Sequence, residues 1–387
     1  MMAGAMVRRA ACATAVLSLS MLAGCGSLSG LNPMSWFSDK PKPAELEAVT
    51  PKIAGRQVWA ARVDSVQFPM AVAVSGASFT AAGTDGTVVA LNADDGRELW
   101  RGNVGERLSA GVGSDGRFAA VVTRNNELVV MEAGALKWRQ ALSSRVVAAP
   151  LVAGERVFVM GVDRAVHAFD VLDGRRIWSL QRPGDALTLA QPGVVAAFKD
   201  TLLVGQGARL TGVDPVRGTV RWEVPLASPR GTNEVERLAD LVGPVVRTGD
   251  TVCARAFQSA VACANAERAS LLWSKNVGGI NAVGGDAEFL FGGDASDRVT
   301  AWRTASGDVA WTHERFLNRG LSGPLSVGKT VVFGDFEGYV HFLARETGET
   351  LLRLPTDGSA VVGTPVRSGT TLLVTTRNGG LFAFRPE

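Results

Sequence analysis

The chain is poor in groups that do chemistry. Three histidines and four cysteines are spread over 387 residues. His167, His313 and His341 stand far apart, and no Ser–His–Asp or Cys–His arrangement can be read from their spacing. His167 and His341 occur in matching contexts, VHAF and VHFL, which reads as one repeated structural position. His313 follows Trp311 on what reads as an outer strand and is expected to be exposed. Acidic residues such as Asp94, Asp95, Asp173 and Asp335 fall in turns, where a carboxylate accepts backbone N–H groups. Cys253 and Cys263 are too far apart for a metal motif, and no paired histidine supports one. No glycine-rich segment joins a strand to a helix, so phosphate cradling is not indicated. No metal, cofactor or catalytic residue is therefore expected. Cys253 and Cys263 flank the turn around Gln258 symmetrically, so in a hairpin with an odd-length loop they face each other. A disulfide is the favoured reading, and two free buried cysteines one residue out of register the alternative.

The elements that position these residues are set by a repeat. Forty-five glycines and nine tryptophans point to many tight turns and short strands. DGTVVALNADDGRELWRGNVG (85–105) returns in outline from Asn125, Asp163, Ala208, Ser259, Ser296 and Glu337. Each unit holds a turn, an alternating strand, a second turn and a strand carrying Trp. The anchors are Trp59, Trp100, Trp138, Trp178, Trp222, Trp273 and Trp311, with Leu352 in the eighth place. Their spacings are 41, 38, 40, 44, 51, 38 and 41 residues. About 40 residues hold four strands of five or six residues with turns, which is a propeller-blade period. Trp59 lies on a lone strand near the N-terminus, and the C-terminus supplies three strands with no fourth. The sequence predicts an all-β, eight-bladed β-propeller of four-stranded antiparallel blades over 55–387, closed by the N-terminal strand completing the C-terminal blade. The tryptophans are read as packing residues between blades; Trp302 lies off the repeat on a third strand and has no assigned role.

Ahead of the propeller, Met1–Arg9 is basic and residues 10–24 are uncharged and mostly apolar, a signal-peptide pattern too short to span a bilayer. Leu22-Ala23-Gly24-Cys25 resembles a bacterial lipobox, which implies lipidation of Cys25 after removal of 1–24. Several acyl chains matter, since one alone anchors only marginally. Gly26, where an inner-membrane lipoprotein of this kind usually has Asp, favours the outer membrane. Residues 25–54, rich in Pro, Ser and Gly, read as a flexible tether. The net charge is +3 and falls to +1 once Arg8 and Arg9 leave with the leader. Strong electrostatic binding to nucleic acid is not implied.

The repeat is broken twice. QRPGDALTLAQPG (181–193) and LASPRGTNEVERLADLVG (226–243) account for the two longest steps. Both join the outermost strand of one blade to the innermost strand of the next, so both emerge on one face, side by side. Asn233 followed by Glu236 reads as a helix start, with a short helix or ordered loop to follow. Surface insertion is the bland interpretation. The sharper one is a protein-binding site in which Leu187 and Leu189 present apolar side chains or pair with a partner strand, rimmed by Glu236, Arg237 and Asp240.

Three segments carry a more specific likeness: NEVERLADLVGPVV (233–246), DRVTAWRTASGDVAWTHERFLNRGLSGP (297–324) and VVFGDFEGYVHFL (331–343). With the lipobox and the blade repeats, they make the whole chain resemble the BamB family, the propeller lipoproteins of the outer-membrane β-barrel assembly machine. The resemblance implies a periplasm-facing, lipid-anchored scaffold without a catalytic centre. It would bind the periplasmic domains of the barrel-forming subunit BamA and assist insertion of β-barrel proteins, whose unfolded forms are possible direct clients. The family's partner surface includes a Leu-x-Leu-Arg segment and an acidic pair. Leu187-Thr188-Leu189 matches the first, with Ala190 in place of Arg. Asp240 matches the first acid, with Val242 near the second. Arg182, Arg230 or Arg237 are candidates to replace the missing arginine. The blades also resemble those of pyrroloquinoline-quinone (PQQ) dehydrogenases, the enzyme alternative. Those enzymes add a vicinal cysteine pair and a calcium site, whereas here no two cysteines are adjacent. A polysaccharide-binding propeller is a third reading, which a single tyrosine does not favour.

Overall fold

The computed structural model describes residues 41–182, 189, 191–229, 232, 233, 235 and 237–386. Cys25 and the leader, Leu187 and Glu236 lie outside the described residues. Met1–Lys42 separates as its own unit from Pro43–Glu387, and the architecture below is that of the second unit.

Eight four-stranded antiparallel sheets form a β-propeller. Blades 1 to 7 span 73–103, 113–141, 151–180, 195–225, 241–275, 284–313 and 325–355, and blade 8 joins 366–386 to Gly55–Arg62. First strands meet around the centre, and fourth strands lie at the rim. The second and third strands are apolar runs covered on both faces: in blade 2, Phe118–Val122 is wholly buried and Glu127–Glu132 buries its four central residues. The rim strand Ala135–Ala141 is largely exposed, because only one of its faces meets a neighbour.

The anchors share one register. A bulge in every third-to-fourth strand pair sets Trp100, Trp138, Trp178, Trp222, Trp273 and Trp311 opposite Ala90, Val130, Ala168, Gly212, Cys263 and Ala301. Trp59 stands opposite Ala383. Where Leu352 replaces Trp, its partner is the larger Phe342, so volume is exchanged across the pair. Five indoles donate to carbonyls of the next blade: Trp59 to Ala93, Trp138 to Val171, Trp178 to Pro215, Trp273 to Thr304 and Trp311 to Arg345, at 2.8–3.0 Å. Trp302 is 1% exposed and packs with Trp273, Cys253, Cys263 and Leu290. Its sequence neighbourhood offered no sign of this, because Trp273, Cys253 and Cys263 come from blade 5. Cys253 and Cys263 are directly opposed, with Cα atoms 4.0 Å apart, and form a disulfide. His313 departs from expectation. It is half-buried, and its Nε2 lies 2.8 Å from the Thr347 carbonyl across the blade boundary.

The boundary of the tether also moves. Residues 43–54 lie along blade 7 as a strap rather than as free chain. Ala44 N donates to Leu317 O and Lys52 N to Leu351 O, both at 2.8 Å. Lys52 pairs with Glu349. Leu46 and Ile53 pack onto two of the core clusters, apolar burial that the Pro- and Ser-rich surroundings masked in the sequence.

Candidate partner-docking site

The connectors between blades and the turns between second and third strands share one face. Backbone bonds stitch them together, for example Leu108 N to Thr84 O and Leu241 N to Gly207 O, each 3.0 Å. The two long connectors meet there. Gly193 and Val242 form an antiparallel bridge, and Gly243 N donates to Pro192 O at 2.8 Å. Glycine is required at this contact, since a Cβ on Gly243 would sit 2.6 Å from the Gly193 carbonyl oxygen. The first strand of blade 5, Leu241–Thr248, is longer than other inner strands and breaks register between Val242 and Val246, around the cis Gly243-Pro244 bond.

Asp240 is the joint of the site. Its Oδ1 accepts from Arg164 Nη2 at 3.0 Å, its Oδ2 accepts from Leu189 N at 3.3 Å, and its carbonyl accepts from Phe257 N at 3.0 Å. Both side chains of the Arg164–Asp240 pair are only 16% exposed. Asp240 therefore positions the two connectors against blade 3, where sequence reasoning expected a rim charge. Leu189 is half-buried beside it, over a cavity of about 40 Å³ that also touches Met160, Gly193 and Leu241.

The later connector is pinned at both ends by buried Leu226 and Ala239, while Val235 at its tip is 71% exposed. Arg237 is exposed nearby. Of the two expectations after Asn233, a short helix or an ordered loop, the described residues fit the loop. Arg237 N to Asn233 O and Leu238 N to Val235 O, both 3.2 Å, make one turn before the chain straightens into Leu241. The sequence reading did not single out Val235; its signal is a lone apolar residue in the polar run TNEVER (232–237). Arg182, a candidate to replace the family arginine, is paired with Glu223. Leu189 and Asp240 are thus brought together, with Arg237 close in the chain.

A buried polar cluster built around a histidine lies elsewhere, in blade 7. Asp335 Oδ2 accepts from Arg319 Nε at 3.0 Å and Nη2 at 2.8 Å and stands 3.0 Å from His341 Nε2, while Arg353 Nε donates to His341 Nδ1 at 3.3 Å. His341 is thereby neutral, with its proton on Nε2. The same arginines donate outward to the strap, Arg319 to Ala44 O and Arg353 to Glu47 O, each at 2.9 Å. Burial lowers the His341 pKa against the opposing pull of Asp335. Burial alone would raise Asp335, but the bonds from His341, Tyr339 N and Arg319 hold it below the ordinary carboxylate range. With Asp335 and His341 both fully buried, this network fastens the strap to the blade and offers no surface to a substrate. Among the described residues, no group of three or more His, Cys, Asp or Glu could hold a metal ion.

Fold and site together define a closed eight-bladed propeller whose two long connectors are joined on one face. A sequence family described as outer membrane protein assembly factor BamB matches residues 84–313. The BamB proteins of Bordetella pertussis and Burkholderia pseudomallei are 36% and 32% identical, over 94% and 97% of this chain and 96% and 97% of their own lengths. The chain belongs to the BamB family. Among solved structures, BamB from Moraxella catarrhalis superposes with a TM-score of 0.78 at 21% identity, covering 86% of this chain and 100% of that one. Quinohemoprotein alcohol dehydrogenase from Comamonas testosteroni superposes at 0.63 with 14% identity, covering 86% of this chain and 76% of that one. Both are likenesses of fold.

Proposed function

We propose that this protein is a non-enzymatic scaffold of outer-membrane protein assembly. It is held to the outer membrane by acylated Cys25, faces the periplasm, and binds the periplasmic part of the BamA-type barrel-forming subunit through its two long connectors. The relatives named as assembly factors support the role in assembly. The observation that carries the docking site is the joining of two otherwise irregular connectors by the Gly193–Val242 bridge and the Asp240 side chain. Chain segments fixed before binding need no further ordering on docking, and Leu189, Gly193, Asp240 and Val242 are fixed in this way. Leu187, Leu189 and Val235 supply apolar anchors, and Glu236 and Arg237 a polar rim. A lipid anchor confines the pad to the membrane surface and raises its effective concentration.

The test is co-purification of the barrel-forming subunit from detergent-solubilised membranes. Leu187→Asp with Leu189→Asp should weaken recovery while the melting temperature stays near that of the wild type, each anchor leucine contributing about 1–2 kcal/mol. Undiminished recovery would remove the connectors from the interface. In the same fractionation, Cys25→Ser should move the protein from the membrane to the soluble periplasmic fraction; continued pelleting with membranes would refute the anchor.

A further inference from the structure

The connector face carries a second feature beyond the pad. Around blades 8, 1, 2 and 3, backbone bonds link Arg377 to Val66, Ser65 to Thr84, Thr84 to Leu108, Arg107 to Arg124 and Arg145 to Val162, at 2.7–3.2 Å. This chain of contacts leads directly to Arg164 and its Asp240 partner. Along it, Arg107, Arg124, Arg145 and Arg377 are all exposed. Two of them converge: Arg107 Nη2 and Arg124 Nη2 both donate to Gln67 Oε1, at 2.7 and 3.4 Å. Among the described residues, neither guanidinium is paired with a carboxylate. The nearby Glu106 is taken by Asn125 and Arg139, and Asp85 by Thr87. Elsewhere on the surface arginines meet acids, as Arg221 meets Asp200 and Asp214 and Arg345 meets Asp286 and Glu288. Two cations gathered on one neutral amide oxygen repel each other. A carboxylate set between them removes that repulsion and offers two oxygens to two planar forks.

We propose that the docking surface continues from the connector pad as a basic arc centred on the Arg107–Gln67–Arg124 clamp, which receives an Asp- or Glu-bearing segment of the protein partner. The inference rests on the reading of the pad as the partner site, because continuity with that pad is what directs the arc toward a protein. The arc is built of guanidinium forks with no lysine among them, which suits fixed carboxylates of a folded partner. Its expected contribution is to association rate and salt sensitivity more than to residence time.

The experiment uses the full-length lipidated protein in detergent with the purified barrel-forming subunit, measuring Kd at low and at physiological salt. Arg107→Gln with Arg124→Gln should weaken binding about tenfold at low salt and flatten the salt dependence, because exposed charges act through screened attraction. Leu187→Asp with Leu189→Asp should weaken binding and leave the salt slope in place. If the arginine variant matches the wild type at both salts while the leucine variant is impaired, the clamp is refuted and the pad stands. If the leucine variant is unimpaired and the arginine variant is not, the clamp is upheld and the pad fails. Vesicles of phosphatidylglycerol and of phosphatidylcholine form the last arm. Loss of phosphatidylglycerol binding in the arginine variant, with subunit binding intact, would assign the arc to the membrane and overturn the proposal. Both arginines are exposed and outside the core, so an unchanged melting temperature is expected and keeps the comparison interpretable.

Discussion

At the scale of single residues, the repeat marked two histidines as structural and did not reveal their partners. His167 and His341 do occupy matching places, paired with Ser179 and Arg353 across their third and fourth strands. Their shared context made both legible as structural. The network around His341 was not legible, because Arg319 reaches it from a connector and its strap contact, Ala44, lies 275 residues away in the chain. The folded-state pKa values of His341 and Asp335 are both depressed. An unfolded chain therefore binds protons that the folded one refuses, and stability is lost as pH falls: through His341 from below about 6.5, and through Asp335 only below about 4. The midpoint of urea denaturation should drop between pH 7.5 and 5.5, and His341→Gln should lower the midpoint at pH 7.5 while flattening that drop. His167, lowered by burial in the same direction, accounts for a residual slope, which His167→Gln should remove. An unchanged slope in the double variant would show that neither imidazole controls the acid limb.

At the scale of elements, the blade repeat is a lock between a turn and a tryptophan. In blade 6 the turn between third and fourth strands places Gly307 at φ 72°, where a Cβ would lie 2.6 Å from Cδ2 of Trp273. The same fit recurs between Gly174 and Trp138 and between Gly218 and Trp178. Blade 5 lacks this glycine, and Ala269 adopts φ 51° in its stead, so the backbone shape is kept at a local cost. Gly307→Ala combines left-handed strain of about 1–2 kcal/mol with displacement of a packed indole. It should destabilise the propeller by about 2–4 kcal/mol in urea titration, well above the effect of Gly328→Ala, where a Cβ meets nothing within 4 Å though φ is 58°. Equal effects at the two positions would mean that backbone strain alone, and not the tryptophan seat, explains the glycine. Because this lock repeats in nearly every blade, the period, blade number and anchor register were all readable from sequence. The connectors occur once each. Their bridge, the role of Asp240 and the single turn at Asn233 depend on contacts with other blades, which no local pattern encodes.

At the scale of the molecule, a ring of eight sheets has one seam. Seven blades are continuous in the chain; blade 8 holds its rim strand only through pairing of Gly55–Arg62 with Gly380–Pro386. Three devices reinforce that seam. Trp59 is 9% exposed and donates to Ala93 in blade 1. Val63 N and Val66 N bond to Gly379 O and Arg377 O at 2.9 and 2.8 Å. Ahead of the strand, the strap is fastened to blade 7 by Arg319 and Arg353. Loss of Trp59 should therefore differ in kind from loss of Trp178, although both are Trp→Ala changes of about 3–5 kcal/mol. In Trp178→Ala the rim strand of blade 3 stays covalently continuous with its neighbours, and its amides should remain protected until global unfolding. In Trp59→Ala residues 55–62 should open as a unit at lower free energy, exposing the unpaired edge of Gly380–Pro386 while blades 2 to 6 keep their protection. Native-state hydrogen exchange reads this directly. Uniform loss of protection across all eight blades would show that the ring unfolds cooperatively from any anchor, and that closure by the N-terminal strand is no weaker than the covalent joints.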